Sequence, residues 1–249
     1  MRFYHYHAFF LRQSICERQQ IKSYFDNLVP PEPGPGNVLD NFEVDEGHFG
    51  WSYNVSPPSQ TYGLSPTTTI ERVATEAQTG IGSQELNFDY DGVSGAWQIR
   101  HNSGIGAGLN ASPAGNVPLP STGYVGVWLK TTDPGVTVEI ALDDPGSAER
   151  GVPQDIVADG LWHLYQWDLE NPDHWNAWVT GDGDIDEATV TIDSIFFAGS
   201  SDALIYMDNV SHNPGGMLFS APIPGDFNVD GNVNGDDLAA WHADFGISR

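Results

Sequence analysis

Between residues 38 and 211 apolar positions recur every second residue in short runs, and no segment there sustains the 3.6-residue period of an amphipathic helix. Along 124–130, Val125, Val127 and Leu129 share one side of an extended chain, while Tyr124, Trp128 and Lys130 share the other. Along 136–142 the apolar set is Val136, Val138, Ile140 and Leu142, with Thr137, Glu139 and Ala141 opposite. Gly, Pro, Asn and Asp separate these runs and supply the turns that join strands. The pattern predicts strands at 85–90, 96–101, 124–131, 136–143, 162–169, 190–198 and 203–210, and so an all-β fold with one face of each strand in the core. In 161–169, His163, Tyr165 and Trp167 alternate with Trp162, Leu164 and Gln166, and periodicity leaves open which set is buried.

The C-terminal stretch has another rhythm. Leu238, Trp241 and Phe245 fall at i, i+3 and i+7, which predicts a short helix stopped by Gly246. Just before it, residues 226–237 fit the EF-hand calcium-loop template. Asp226, Asn228 and Asp230 occupy positions 1, 3 and 5, and Gly231 permits the turn at position 6. Asn232 offers its carbonyl at 7, Asn234 stands at 9 and Asp237 closes at 12. A hard cation needs such a ring of oxygens, so this EF-hand-like loop-helix is expected to bind Ca2+.

Composition bounds the partners. With 39% apolar residues and eight Trp the chain has material for a sizeable core despite its charge. Nine Lys plus Arg against 34 Asp plus Glu leave a net charge of −25, which repels phosphate backbones and anionic lipid surfaces. Nucleic acid and membrane are therefore excluded as partners, and no run approaches the ~18 apolar residues of a membrane span. A single cysteine, Cys16, excludes an intrachain disulfide. Near the start, Tyr24-Phe25-Asp26-Asn27-Leu28 parallels Tyr206-Met207-Asp208-Asn209-Val210, and each string runs on into Pro and Gly. Residues 1–29 are accordingly expected to be the tail of a lost preceding copy.

The opening Val38-Leu39-Asp40-Asn41-Phe42-Glu43, the run Thr191-Ile192-Asp193-Ser194-Ile195-Phe196-Phe197 and the closing Ile205-Tyr206-Met207-Asp208-Asn209-Val210 resemble the galactose-binding-like jelly-roll β-sandwich. Many carbohydrate-binding modules attached to bacterial glycosidases use that fold. The resemblance implies a structural Ca2+ between first and last strands, held by Glu43 and Asp208, with Asp40 and Asp45 as further ligands. Asp-Asn turn formation is the competing role for Asp40 and Asp208. The string 224–246 resembles one repeat of a type I dockerin, which implies attachment to a cohesin module. A complete dockerin has two such repeats, and one is present here. The expected division is 1–37 for a preceding tail plus Pro/Gly linker, 38–214 for a jelly-roll β-sandwich, 215–223 for a linker and 224–249 for half a dockerin-like repeat.

Sugars present apolar C–H patches rimmed by hydroxyls, so their sites need aromatic platforms beside polar side chains. Trp128 and Tyr124, with Glu139 on a neighbouring strand and Gln98 and Arg100 from another, form the expected carbohydrate-binding set. Burial of Trp128 beneath the Gly-rich loop 104–122 is the other placement open to it. Trp51, Tyr53, Trp175 and Trp178 add aromatics outside the expected strands. The usual catalytic motifs are missing: no His-Glu-x-x-His, nucleophile elbow, phosphate-binding glycine loop or Cys cluster occurs. No carboxylate pair stands out for glycoside hydrolysis, and the acidic run 182–187 reads as a solvated turn. The chain is thus expected to be a non-catalytic carbohydrate-binding or adhesion module of a secreted polysaccharide-processing protein. Its expected setting is extracellular or cell-surface, with a polysaccharide and a cohesin-like module as partners and Ca2+ as cofactor. The alternatives are a calcium-rigidified surface-repeat protein and a glycosidase or lyase on a jelly-roll scaffold.

Overall fold

The computed structural model describes residues 37–44, 48–49, 60–104 and 116–218. The N-terminal repeat, the Pro/Gly linker, Asp45, Trp51, Tyr53, and the calcium loop 226–237 with its helix lie outside the described residues. Thirteen strands appear among the described residues: β1 Asn37–Asp40, β2 Thr69–Val73, β3 Ser83–Phe88, β4 Trp97–Asn102, β5 Leu119–Pro120, β6 Tyr124–Thr131, β7 Thr137–Asp144, β8 Ser147–Gly151, β9 Gln154–Asp155, β10 His163–Asp168, β11 Trp175–Val179, β12 Thr189–Gly199 and β13 Ala203–Asn213. One 3-10 turn, Pro172–His174, is the helical element among the described residues, and no helix there is long and apolar enough to cross a membrane.

The strands pair antiparallel in two sheets. One runs β10-β6-β13-β3-β2, and the other runs β11-β8-β7-β12-β4 with the short β5 on β12 and β9 on β7. In the first sheet, β13 is flanked by β3 along 203–207 and by β1 farther on, where Asn37 lies opposite His212. The orders β3-β13-β6-β10 and β4-β12-β7-β8 are those of a jelly-roll sandwich, in which the chain passes repeatedly from one sheet to the other.

Alternation builds the core as the sequence pattern requires. Val125, Val127 and Leu129 of β6 and Val138, Ile140 and Leu142 of β7 are fully buried. In β10 the register sets Tyr165 against Val127 and Trp167 against Val125, so this is the set turned inward. Trp167 keeps its donor satisfied through a 2.9 Å bond from Nε1 to the Val152 carbonyl. Phe88 packs on Trp97 and Phe197 with ring centroids 4.9 and 5.5 Å apart. One polar pair sits among these groups: His101 Nε2 lies 2.6 Å from Gln84 Oε1, whose amide Nε2 donates to the Phe49 carbonyl at 2.9 Å.

Candidate functional site

The outer face of the seven-stranded sheet carries the most developed polar and aromatic array. The pleat that turns Trp97 and Ile99 of β4 inward turns Gln98 and Arg100 outward. In β12 a register shift between Ile192 and Ser194 inserts an extra residue. Asp193 thereby reaches the outer face beside Arg100. The guanidinium of Arg100 donates from Nε to Asp193 Oδ1 at 3.0 Å, and from Nη2 to Oδ1 and Oδ2 at 2.7 and 2.5 Å. A second arginine, Arg150 of β8, is held by Glu139 of β7, with Nε 2.5 Å from Oε2 and Nη2 2.8 Å from Oε1. Its Nη2 also donates to Gln98 Oε1 at 3.0 Å.

Aromatic rings lie against both guanidinium groups. Arg150 Cζ stands 3.8 Å from the centroid of Phe196, and Arg100 Cζ stands 5.0 Å from that of Trp178. Trp178 meets Phe196 edge-on at 5.5 Å and donates from Nε1 to Gln60 Oε1 at 3.1 Å. Trp178 belongs to β11 and Arg100 to β4, the two edges of the sheet. Five strands laid flat would hold those edges about 19 Å apart. Their side-chain contact therefore requires the sheet to curl toward this face. A register shift between Ala177 and Val179 re-aims Trp178 into the hollow.

The hollow is a groove of about 630 Å3 lined by Trp178, Arg100, Gln60, Asp143, Asp193 and the β7–β8 turn. Burial, and then the charge of Asp193, push the Asp143 carboxyl above the usual range, and Arg100 opposes them. Burial also raises Glu139, against the pull of Arg150. Tyr62 extends the face. It is bridged to Gln98 by reciprocal backbone bonds of 2.9 and 3.0 Å, which put both side chains on one side. At 48% exposure Tyr62 is an open aromatic platform. The neighbouring acidic turn is not merely solvated. Asp182 and Gly183 donate their amides to the buried Glu149, and Asp186 and Glu187 donate theirs to the buried Asp144.

The expected sugar-binding set divides between two faces. Gln98, Arg100 and Glu139 come together on the seven-stranded sheet. Trp128 and Tyr124 stand on the outer face of the six-stranded one, because β6 and β7 are consecutive in sequence but lie in opposite sheets. There Trp128 is half-buried and opposite Leu164 and Asp208. Tyr124 lies opposite Asp168, and burial, with its hydrogen bond to Asp168, raises its hydroxyl pKa. Trp178, Arg150, Asp193, Asp143 and Tyr62 were missed as a group. Asp193 inside an apolar run was the signal that could have found the bulge.

Glu43 and Asp208 do approach one another. Asp208 Oδ2 accepts from the amides of Gln78 at 2.8 Å and Thr79 at 3.3 Å, and Oδ1 accepts from Asn209 at 2.7 Å. Glu43 accepts from the Ile81 amide at 2.9 Å. The two carboxylates thus grip one turn, 78–81. Gly80 adopts φ +71° there, and a Cβ on it would stand 2.0 Å from Glu43 Oε1. Burial pushes the Asp208 carboxyl up to about 6, with Glu43 adding to the shift. Two such groups fit part of a calcium shell of six to eight oxygens. Asp40 is not joined to them: its oxygens accept from the amides of Phe42, His48 and Phe49. Among the described residues no group of three or more acids or histidines is placed to hold a metal.

No family model matches the chain, and no curated protein does. Among solved structures, a family 27 carbohydrate-binding module of Caldicellulosiruptor saccharolyticus in complex with mannohexaose overlays with a TM-score of 0.43 at 14% identity, covering 73% of this chain and 98% of its own. The family 11 module of a cellulosomal cellulase of Clostridium thermocellum overlays at 0.42 and 13%, covering 74% and 98%. A family 30 module overlays at 0.43 and 15%, covering 76% and 95%. Likenesses at this level leave the chain's role to be argued from its own groove.

Proposed function

We propose that this domain is a non-catalytic glycan-binding module whose polysaccharide ligand lies in the curled outer face of the seven-stranded sheet. The observation that carries this reading is the groove itself: the Trp178 indole stands beside carboxylates and an amide that are fixed before any ligand arrives, and the exposed Tyr62 phenol extends the same face. Apolar sugar faces stack on such rings while hydroxyls bond the polar groups. Fixing the side chains beforehand lowers the cost of ordering them on binding.

Hydrolysis suits the groove less well. A glycosidase needs one carboxyl free to donate a proton and another free to attack or activate water. Asp193 and Glu139 are committed to arginines and Asp144 to loop amides, which leaves Asp143 without a second available carboxyl among the described lining.

The wider setting we infer is a secreted, extracellular polysaccharide-processing protein, with the dockerin-like loop 226–237 as a calcium-dependent anchor toward a cohesin-like partner. Calcium held through Glu43 and Asp208 would tie the turn 78–81 to β13.

Affinity electrophoresis of the parent, Trp178→Ala and Trp128→Ala on a panel of polysaccharides tests the glycan site. Trp178→Ala is expected to weaken binding at least about tenfold, or ~1.4 kcal/mol, with Trp128→Ala near the parent. Loss in Trp128→Ala alone would move the site to the other sheet. Indifference of the parent to every glycan would overturn the proposal.

A further inference from the structure

We propose that the groove selects uncharged sugar chains and turns away polymers that carry carboxylate or sulfate groups, a selectivity that rests on the glycan-binding reading above. An arginine in a sugar groove ordinarily invites an anion, because its planar fork matches a carboxylate. Here both forks already hold carboxylates. Arg100 grips Asp193 through hydrogen bonds from Nε and Nη2, and Arg150 pairs with Glu139 through a hydrogen bond from Nη2, with Nε 2.5 Å from Oε2 and Gln98 beside it. Arg100 Cζ lies over the Trp178 ring and Arg150 Cζ over the Phe196 ring, so neither can swing out without losing ring contacts as well.

The remaining charge is acidic. Asp143 lines the groove beyond the two ion pairs, so two arginines stand against three carboxylates, Asp193, Glu139 and Asp143, on this side of the domain. Asp143 is the member placed to meet a ligand. It shares the groove with Trp178 and lies close enough to Asp193 for that charge to act on it. A sugar hydroxyl can donate to Asp143 and bring no charge with it. A uronate or sulfate would set like charges together in a partly desolvated hollow, where screening by water is weak.

The effect belongs to the groove rather than to the net charge of the chain, and this makes it separable. Glucan, mannan, xylan and galactan are each prepared as hydroxyethyl and carboxymethyl derivatives of equal substitution, so that bulk is matched and only charge differs. Binding to the intact chain is measured by affinity electrophoresis and calorimetry at low and high NaCl. The hydroxyethyl form of the recognised polymer is expected to bind at least about tenfold more tightly at low salt, with the gap shrinking as salt screens it. Asp143→Lys should close most of that gap and the milder Asp143→Asn part of it. Glu71→Lys, an identical charge change at an exposed position of the opposite sheet, should leave it open. Equal or tighter binding of the carboxymethyl form overturns the selectivity while leaving glycan binding intact. Closure of the gap by Glu71→Lys as fully as by Asp143→Lys also overturns it. Failure of every derivative to bind overturns both readings.

Discussion

Acidification should loosen the sheet that carries the groove, and the responsible group is His101. Its neighbours on β4, Arg100 and Asn102, face outward, while His101 points into the core, wholly buried against Gln84 and near the ring of Phe49. Burial lowers its pKa from 6.5 to about 3. In the unfolded chain the imidazole takes up a proton near 6.5, whereas in the fold it stays neutral until about 3. Between those values the unfolded state binds the extra proton, so stability rises with pH there and is lost as pH falls. A gap of that size corresponds to about 5 kcal/mol over the whole window, lost at up to ~1.4 kcal/mol per pH unit. Half-buried His48 and buried His212 act in the same direction, and the raised carboxyls of Asp208, Asp40, Glu139, Asp143 and Glu149 act in the opposite one. The parent curve alone is therefore not diagnostic. His101→Gln keeps an amide donor for Gln84 and removes the titration. Urea unfolding followed by tryptophan fluorescence from pH 7.5 to 4 should show the parent losing stability relative to the variant by about one proton's slope below pH 6. Parallel curves would refute the reasoning.

Two further outcomes follow from the turn at 78–81 and from the acidic loops. Gly80→Ala forces a left-handed backbone on alanine and drives its methyl into Glu43, so calorimetry should show a stability loss of about 1–3 kcal/mol; an unchanged melting temperature would contradict the packing described. Calcium at a hundredfold excess over its dissociation constant should stabilise the chain by about 2.7 kcal/mol. In titration calorimetry Asp226→Ala with Asp230→Ala should remove one site, and Glu43→Gln with Asp208→Asn another. A double variant that binds as many ions as the parent would refute the corresponding assignment.

The long strands were legible because their inward faces carry Val, Ile and Leu at every second place, as in β6 and β7. The strands that escaped notice lack that mark. The Ser147–Gly151 strand buries Glu149, β2 is an edge strand reading TIERV, and β11 bears Trp178 at a register shift. Periodicity also says which side of a strand a residue occupies but not which sheet the strand joins. Trp128 and Glu139 are both outward, and the whole sandwich lies between them. The arginine pairs were hidden for a similar reason: Arg150 and Glu139 sit on strands whose register only the folded sheet defines. The turn 78–81 likewise meets Asp208 across 130 residues of chain.

The way β1 lies along the second half of β13 governs how the domain would answer a pulling force. Asn37 faces His212, so the chain enters and leaves this sandwich at neighbouring points. Ladder hydrogen bonds run across the strands. Tension applied between those two points would open them one after another, starting with the pair nearest the load, like a zip rather than a lap joint. The β1 contact would yield early under strain, while the groove, built on the other sheet, would keep its shape.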